Sequence, residues 1–380
     1  MSQKILIVGA GIGGLAAACA LGRDHEVTLI ERASAPPVTG AGIVLAANAT
    51  SILAALGVDL GDGHLIGVGE LRRAGGAVLT RTDVRAVGGS PWLTFHRAEL
   101  QEALLNAVPD QVERRFGVAV VVVREVDDGV EVSTSDGRSE RFDLVIGADG
   151  LHSRVREQLE GDVPLRYSGV TCWRAVSQNP GTDVMFEAWG HQVRVGVVPL
   201  SRGRIYTFLV ATAPRRHPAP AFPVGFQDLF AEFGDPVPAV LAGIDPSGLL
   251  HHDLEELPGP MWGRPRVWLL GDAAHGMTPN QGQGAAMAIE DAAGAALALA
   301  AAPPPQAFLA WRTMRHDRVH KVQMDSRAVG EIAHTGSRLL AAARDAAAWC
   351  MPASVSRRQL EKLVQPGLEL ARALRSVHEL

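Results

Sequence analysis

The stretch KILIVGAGIGGLAAACALGRDHEVTLIE, Lys4 to Glu31, decides the fold of this chain. Lys4–Val8 is an apolar run with the length of a strand buried on both faces. Gly9-x-Gly11-x-x-Gly14 follows at once, Ile12 to Leu21 reads as a helix, and Val27–Ile30 as a second buried strand ending in Glu31. That order is a βαβ unit with a glycine-rich first turn. Gly9 permits the tight turn, Gly11 lets the backbone approach a pyrophosphate, and Gly14 lets the helix pack on the strand. The first amides of the helix, those of Ile12 and Gly13 among them, then face the phosphates. Glu31 can accept hydrogen bonds from adenosine ribose hydroxyls, with Arg32 beside it at the same site. The turn by itself does not separate FAD from NAD.

Far along the chain stands GDAAHGMTPNQGQGAAMAIEDA, Gly271 to Ala292. The strand VWLL (267–270) before it delivers Asp272 to a carboxyl end, where ligands bind in open α/β sheets. Pro279 fixes the following turn. Gly282 and Gly284 let backbone amides face a ligand at the start of an Ala-rich helix over residues 284–302. The chain thus offers two helix N-termini to one extended ligand with two polar ends. The first suits a pyrophosphate, and the second suits a group that becomes anionic on reduction, as an isoalloxazine does.

A chain of 380 residues is long enough for two domains, or for one large domain with an insertion. A formal net charge of −5 and the lack of a basic run give no reason to expect nucleic acid. Cys19, Cys172 and Cys350 lie far apart without CxxC spacing, which argues against a disulfide framework or a metal site. No charged segment followed by an apolar one opens the sequence, and the longest small-apolar run (292–302) is too short to span a bilayer. The expectation is a cytoplasmic enzyme without stable membrane insertion, monomeric or homodimeric.

Between the two motifs, Arg97–Ala107 has helical spacing, and Val118–Val126 with Val130–Thr134 reads as a hairpin turning at Asp128-Gly129. DLVI (143–146) is another buried strand. From Arg166 to about Pro265 the texture becomes that of a mostly antiparallel sheet. The expected fold is therefore α/β: a Rossmann-like FAD-binding domain, an inserted antiparallel substrate domain, and a helical C-terminus. The expected boundaries are 1–73, 97–165 and 267–327 for the first, 74–96 and 166–266 for the second, and 328–380 for the terminal helices.

With these motifs in order, the sequence resembles the group A, p-hydroxybenzoate hydroxylase-like, single-component FAD monooxygenases. The resemblance rests on GAGIGG (9–14), the DG motif in GADGLHSRVR (147–156) and the GD motif in Gly271–Ala292. FHRAELQEAL (95–104) is similar to the family's arginine helix, and TGAGIVLAANA (39–49), which contains Val44, to its flavin-side loop. The resemblance implies non-covalent FAD, NADH or NADPH as co-substrate, and O2 adding at the flavin C4a to give a hydroperoxide. That species passes one oxygen to a small aromatic, heteroaromatic or otherwise electron-rich acceptor. It also implies that Arg97 and Asp272 hold the ribityl–pyrophosphate section and that the backbone near Val120 meets adenine. Gly282, Gln283, Gly284 and Ala285 would face the pyrimidine edge, with Pro279 on the reactive side. Asp149, with Arg154, would serve FAD architecture and NAD(P)H use, or form an internal ion pair.

YSGVTCWRAV (167–176) and VRVGVVPLSRGRIYTFLV (193–210) resemble the subgroup of urate and salicylate hydroxylases and zeaxanthin epoxidases. Arg194 and Tyr206 fall on adjacent strands of one hairpin and are the candidates to bind or polarise a substrate oxygen. Period-two alternation sets Arg194 with Gly196 and Val198, and Tyr206 with Arg204 and Phe208, glycine leaving room for a planar ligand. The bland alternative is a surface arginine and an interior tyrosine with a satisfied hydroxyl. Asn280 departs from the urate hydroxylases, which carry an aspartate there, and an amide cannot act as a base. The rival functions are an alkene epoxidase and a redox-sensing FAD-binding protein without turnover. A halogenase lacks its WxWxIP motif here, and a disulfide reductase lacks its cysteine pair.

Overall fold

The computed structural model describes residues 2–35 and 40–378. Thr39, the first residue of the expected flavin-side loop, lies outside the described residues. A six-stranded sheet runs in the order Gly263–Arg264, Val267–Leu269, Leu144–Gly147, Lys4–Val8, Glu26–Glu31 and Glu113–Phe116. Its pairings are parallel except at the Gly263–Arg264 edge. Lys4–Val8 occupies an inner position because every residue after Lys4 is apolar, and Ile5 and Ile7 are fully buried. The helix Ile12–Leu21 packs against Gly284–Ala301. A Cβ at Gly13 would stand 2.7 Å from Leu270 and 3.1 Å from Ala288, so small residues set this close approach. Gly284–Ala301 is long and apolar enough to cross a membrane, but 67% of it is buried inside the fold as a core helix.

A seven-stranded sheet forms the second layer, ordered Leu250–Glu256, Arg166–Gln178, Arg204–Thr212, Val193–Leu200, Met185–Trp189, Val68–Arg73 and Val78–Asp83. One face is covered by the short helices Val224–Leu229 and Val237–Ala242, and Trp173, Val195, Val197 and Leu209 meet Phe226 and Val240 there. The other face carries Arg194, Gly196 and Val198 opposite Val210, Phe208 and Tyr206.

One expected boundary needs correction. Val68–Arg73 pairs with Met185–Trp189 and forms a hairpin with Val78–Asp83, so the boundary expected after residue 73 cuts a hairpin. The prolines 303–305 end one helix, yet Pro304 is also the first residue of the next, Pro304–Ala333. Proline fits there because its missing N–H falls among those that lack a helical partner. Arg338–Trp349 and Ala353–His378 complete the helical C-terminus, the latter anchored through Val364, Ala371 and Leu374.

Candidate active site

At the glycine turn the three glycines do different things. Gly9 has φ +105°, and a Cβ there would lie 2.6 Å from the Ala148 carbonyl oxygen. A Cβ on Gly14 would stand 1.8 Å from the Gly9 carbonyl oxygen, which is how closely helix and strand meet. At Gly11 nothing lies within 4 Å of that position. Gly11 faces a cleft that also brings together Glu31, Arg32, Arg97, Val120 and Asp149. The Glu31 carboxylate accepts from the backbone N–H groups of Ala10 (2.8 Å) and Ala33 (2.9 Å), which fixes it at the mouth of the turn. Arg97 opens the helix Arg97–Ala107, is exposed and pairs with no acid among the described residues. It is therefore an unpaired cation in the cleft that Gly11 lines. Ile12 buries its side chain in the core and Gly13 faces the neighbouring helix, so both can offer a ligand only backbone.

The second helix terminus is built alike. Asp272 is exposed after a Gly271 held at φ +62°, and its carboxylate has no partner among the described residues. Gly282 adopts the left-handed conformation at φ +63° with open space at its Cβ position, as the turn into Gly284–Ala301 demands. Gln283 turns its side chain inward, where it accepts from Asn48 at 3.0 Å, so it too can present only backbone. Pro279 is exposed beside them.

In the DG motif the expected internal ion pair is not formed. Asp149 makes no ion pair with Arg154. Its carboxylate accepts from the Ser153 hydroxyl and from the N–H groups of Arg154 (2.7 Å) and Val155 (3.2 Å), capping the helix Arg154–Glu160. Arg154 pairs with Glu157 one turn on. Arg156, which sequence reading passed over, donates to the carbonyls of Ala273 (2.8 Å) and Leu151 (2.6 Å) from a buried position. It ties the DG loop to the GD helix, and burial pushes its pKa down.

Arg194 is not a surface arginine: it is 3% exposed. Its guanidinium donates to Glu187 at 3.0 Å and to the Asn280 side-chain oxygen, while its buried Nε has no partner. Asn280 in turn donates to Thr278 (3.0 Å) and the Ser326 carbonyl (2.8 Å), so the sheet is tied to the Pro279 turn. Tyr206 lies on the same face as Arg194, its ring against Gly42, and its hydroxyl bonds to no described residue. Burial pushes the Tyr206 phenol pKa up, against the opposing charge of Arg174, so the hydroxyl stays protonated. The space expected over Gly196 is filled: a Cβ there would lie 1.9 Å from the Phe208 ring. Arg174, whose register partner is Phe208, is half-buried, has no ion-pair partner among the described residues, and leaves its Nε unbonded. Val44, Val176 and Val198 complete an apolar surface around Tyr206.

Behind the GD turn lies a buried ionic group. His275 meets Asp291 at 2.6 Å, Arg315 bridges Asp291 (2.8 Å) and Glu290 (2.7 Å), and Asn48 donates to Glu290 at 2.7 Å. Burial opposes the charge on Asp291, yet His275 and Arg315 hold its carboxyl below the usual range. His275 is therefore a structural partner, out of reach of any acceptor.

The family model described as "FAD binding domain" matches residues 2–324. The chain is 36% identical to 2-heptyl-3-hydroxy-4(1H)-quinolone synthase of Pseudomonas aeruginosa, across 96% of this chain and 98% of that protein. It is also 36% identical to the aurachin C monooxygenase/isomerase of Stigmatella aurantiaca, over 86% of this chain and 89% of that one. The solved structure of Klebsiella pneumoniae HpxO with FAD and uric acid superposes with a TM-score of 0.88 at 28% identity, covering 96% and 97% of the two chains. The chain belongs to the FAD-dependent monooxygenases. It is a single-component flavoprotein hydroxylase of the aromatic and heteroaromatic group.

Proposed function

We propose that the acceptor is a fused heteroaromatic ketone of the 4(1H)-quinolone type, oxygenated at its electron-rich ring carbon at the expense of O2 and NADH or NADPH. FAD, bound without a covalent link, supplies the activation of O2. Gly11 and the first amides of its helix would hold the pyrophosphate, with Glu31 on the adenosine ribose and Val120 beside the adenine. Arg97 and Asp272 would take the section between pyrophosphate and ribityl chain. The amides of residues 282–285 would face the pyrimidine edge, where a helix N-terminus favours negative charge. Pro279 and Val44 would flank the ring. We place the enzyme in the cytoplasm.

One observation carries the choice of acceptor. Among the described residues, the carboxylates that reach the acceptor face are already engaged: Glu187 with Arg194 and the Trp189 indole, Glu99 with Arg204. Asn280 supplies no base. The acceptor must then bring its own electron density, and a 4(1H)-quinolone does so, because its ring nitrogen feeds the carbon next to the ketone. The neutral Tyr206 hydroxyl and the spare donors of Arg174 and Arg194 suit the ketone oxygen, and Phe208, Val198 and Val176 suit the ring. The 2-heptyl-3-hydroxy-4(1H)-quinolone synthase, matched over 96% of this chain, supports the same reading.

The test is direct. FAD-loaded enzyme is given 2-heptyl-4(1H)-quinolone, uric acid, salicylate or 6-hydroxynicotinate, each with NADH or NADPH. The quinolone should stimulate cofactor oxidation most and gain one oxygen at its 3-position. Turnover of an aromatic acid alone would overturn the assignment and make Arg174 a carboxylate partner.

A further inference from the structure

The helix Arg338–Trp349 is built inside out. Ala341, Arg344, Asp345 and Ala348, at helical spacing, face the body of the protein. Asp345 is 7% exposed, held by Arg344 at 2.7 Å and by Arg73 at 3.2 Å. Arg344 also donates to the Ala333 carbonyl at 2.9 Å and lies over the Trp189 ring. The two charged side chains in the middle of this helix are thus spent inward. Outward stand Leu339, Ala342, Ala343, Ala346 and Ala347, spaced as one stripe. Leu340 and Trp349 flank it, and Leu339 is 84% and Trp349 70% exposed. An apolar stripe facing water is the reverse of what a surface helix needs, and it calls for something to cover it.

Charge chooses between the candidates. From residue 332 to residue 360 the only acid is the buried Asp345. Arg338 and Arg358 are exposed with no acidic partner among the described residues, while Arg357, also exposed, pairs with Glu361 at 3.3 Å. A second copy docked on the same face by a twofold axis would bring these arginines against their own equivalents. An anionic bilayer surface would meet both the apolar stripe and the cations. We propose that the outward face of Arg338–Trp349 docks on an anionic membrane surface, lying in the interface without crossing it. This inference is independent of the substrate reading above.

Cys350 gives a reporter at the end of the stripe, since it is exposed while Cys19 and Cys172 are buried. The full, FAD-loaded chain is labelled at Cys350 with a polarity-sensitive dye and mixed with vesicles. Phosphatidylcholine vesicles carrying about a third phosphatidylglycerol should bind it at least about tenfold more tightly than phosphatidylcholine alone. They should brighten and blue-shift the dye and carry the protein in flotation, an effect that high salt weakens. Leu339→Asp should abolish flotation, while its FAD content and rate of NAD(P)H oxidation stay at the wild-type level. Equal binding to neutral vesicles, or none to either, overturns the proposal. So does a concentration-dependent dimer that Leu339→Asp dissolves in a protein that ignores vesicles.

Discussion

Gly11 and Gly14 stand three positions apart but do different work, and substitution separates them. Gly11→Val puts its side chain where no protein atom lies within 4 Å, so the variant should fold with FAD content reduced at least about tenfold. Its ratio of flavin to protein absorbance measures this, and full occupancy would remove Gly11 from the cofactor site. Gly14→Ala drives a methyl group into the Gly9 carbonyl and should damage the fold itself. On the acceptor face, Arg194→Ala should weaken binding of a carbonyl-bearing substrate about ten- to a hundred-fold, the worth of one charge-assisted hydrogen bond. FAD content should not change. Tyr206→Phe should lower the fraction of NAD(P)H oxidation that yields product, with little loss of stability because its hydroxyl bonds to no described residue. Wild-type coupling in that variant would exclude a polarising role. The glycine turn was legible because its rules are local. Strand periodicity likewise put Arg194 and Tyr206 on one face, but it could not show that the Phe208 ring covers Gly196. That packing depends on the register between two strands. The bond from Arg194 to Asn280 spans 86 residues of sequence and leaves no local signal.

Among the elements, the junction of Pro304–Ala333 with the acceptor sheet should be sensitive to pH. His334 caps that helix, pairs through Nδ1 with the Thr212 hydroxyl at 3.2 Å and leaves Nε2 buried without a partner. Burial, reinforced by the charge of Arg194, pushes its pKa down to about 3. Below the ordinary histidine range the unfolded chain then binds a proton that the folded one refuses. Stability falls as pH drops from about 6.5 toward 3, by up to about 1.4 kcal/mol per pH unit from this residue. Urea unfolding at pH 7.5 and pH 5 should show His334→Asn gaining on the wild type as the pH falls. A constant difference between the two proteins would mean that His334 is not held neutral. The βαβ unit, the Arg97–Ala107 helix and the hairpin could be read from sequence, since each is set by contiguous residues. The hairpin, however, turns at Asp127-Asp128, one residue before the expected Asp128-Gly129, and Gly129 pairs with Val126. Val68–Arg73 could not be placed, because its parallel pairing with Met185–Trp189 joins segments far apart in the chain. The Arg338–Trp349 helix could be foreseen as a helix, but the inward turn of Arg344 and Asp345 follows from Arg73 and Ala333, which lie outside it.

Across the whole molecule, we assign two helix N-termini to the two ends of FAD and one sheet face to the acceptor, a face that offers donors and, among the described residues, no free carboxylate. That arrangement would bind, orient and shield an acceptor while leaving the oxygen chemistry to the cofactor. The measurement that tests this most directly is oxygen-isotope labelling of the product. FAD-loaded enzyme, NADH or NADPH, and 2-heptyl-4(1H)-quinolone react under 18O2 in ordinary water and, separately, under ordinary O2 in H2 18O. A monooxygenase predicts one heavy oxygen in the product from 18O2 and none from the water. Label arriving from water, or NAD(P)H oxidation that never yields an oxygenated product with this or any other acceptor in the panel, would contradict the account.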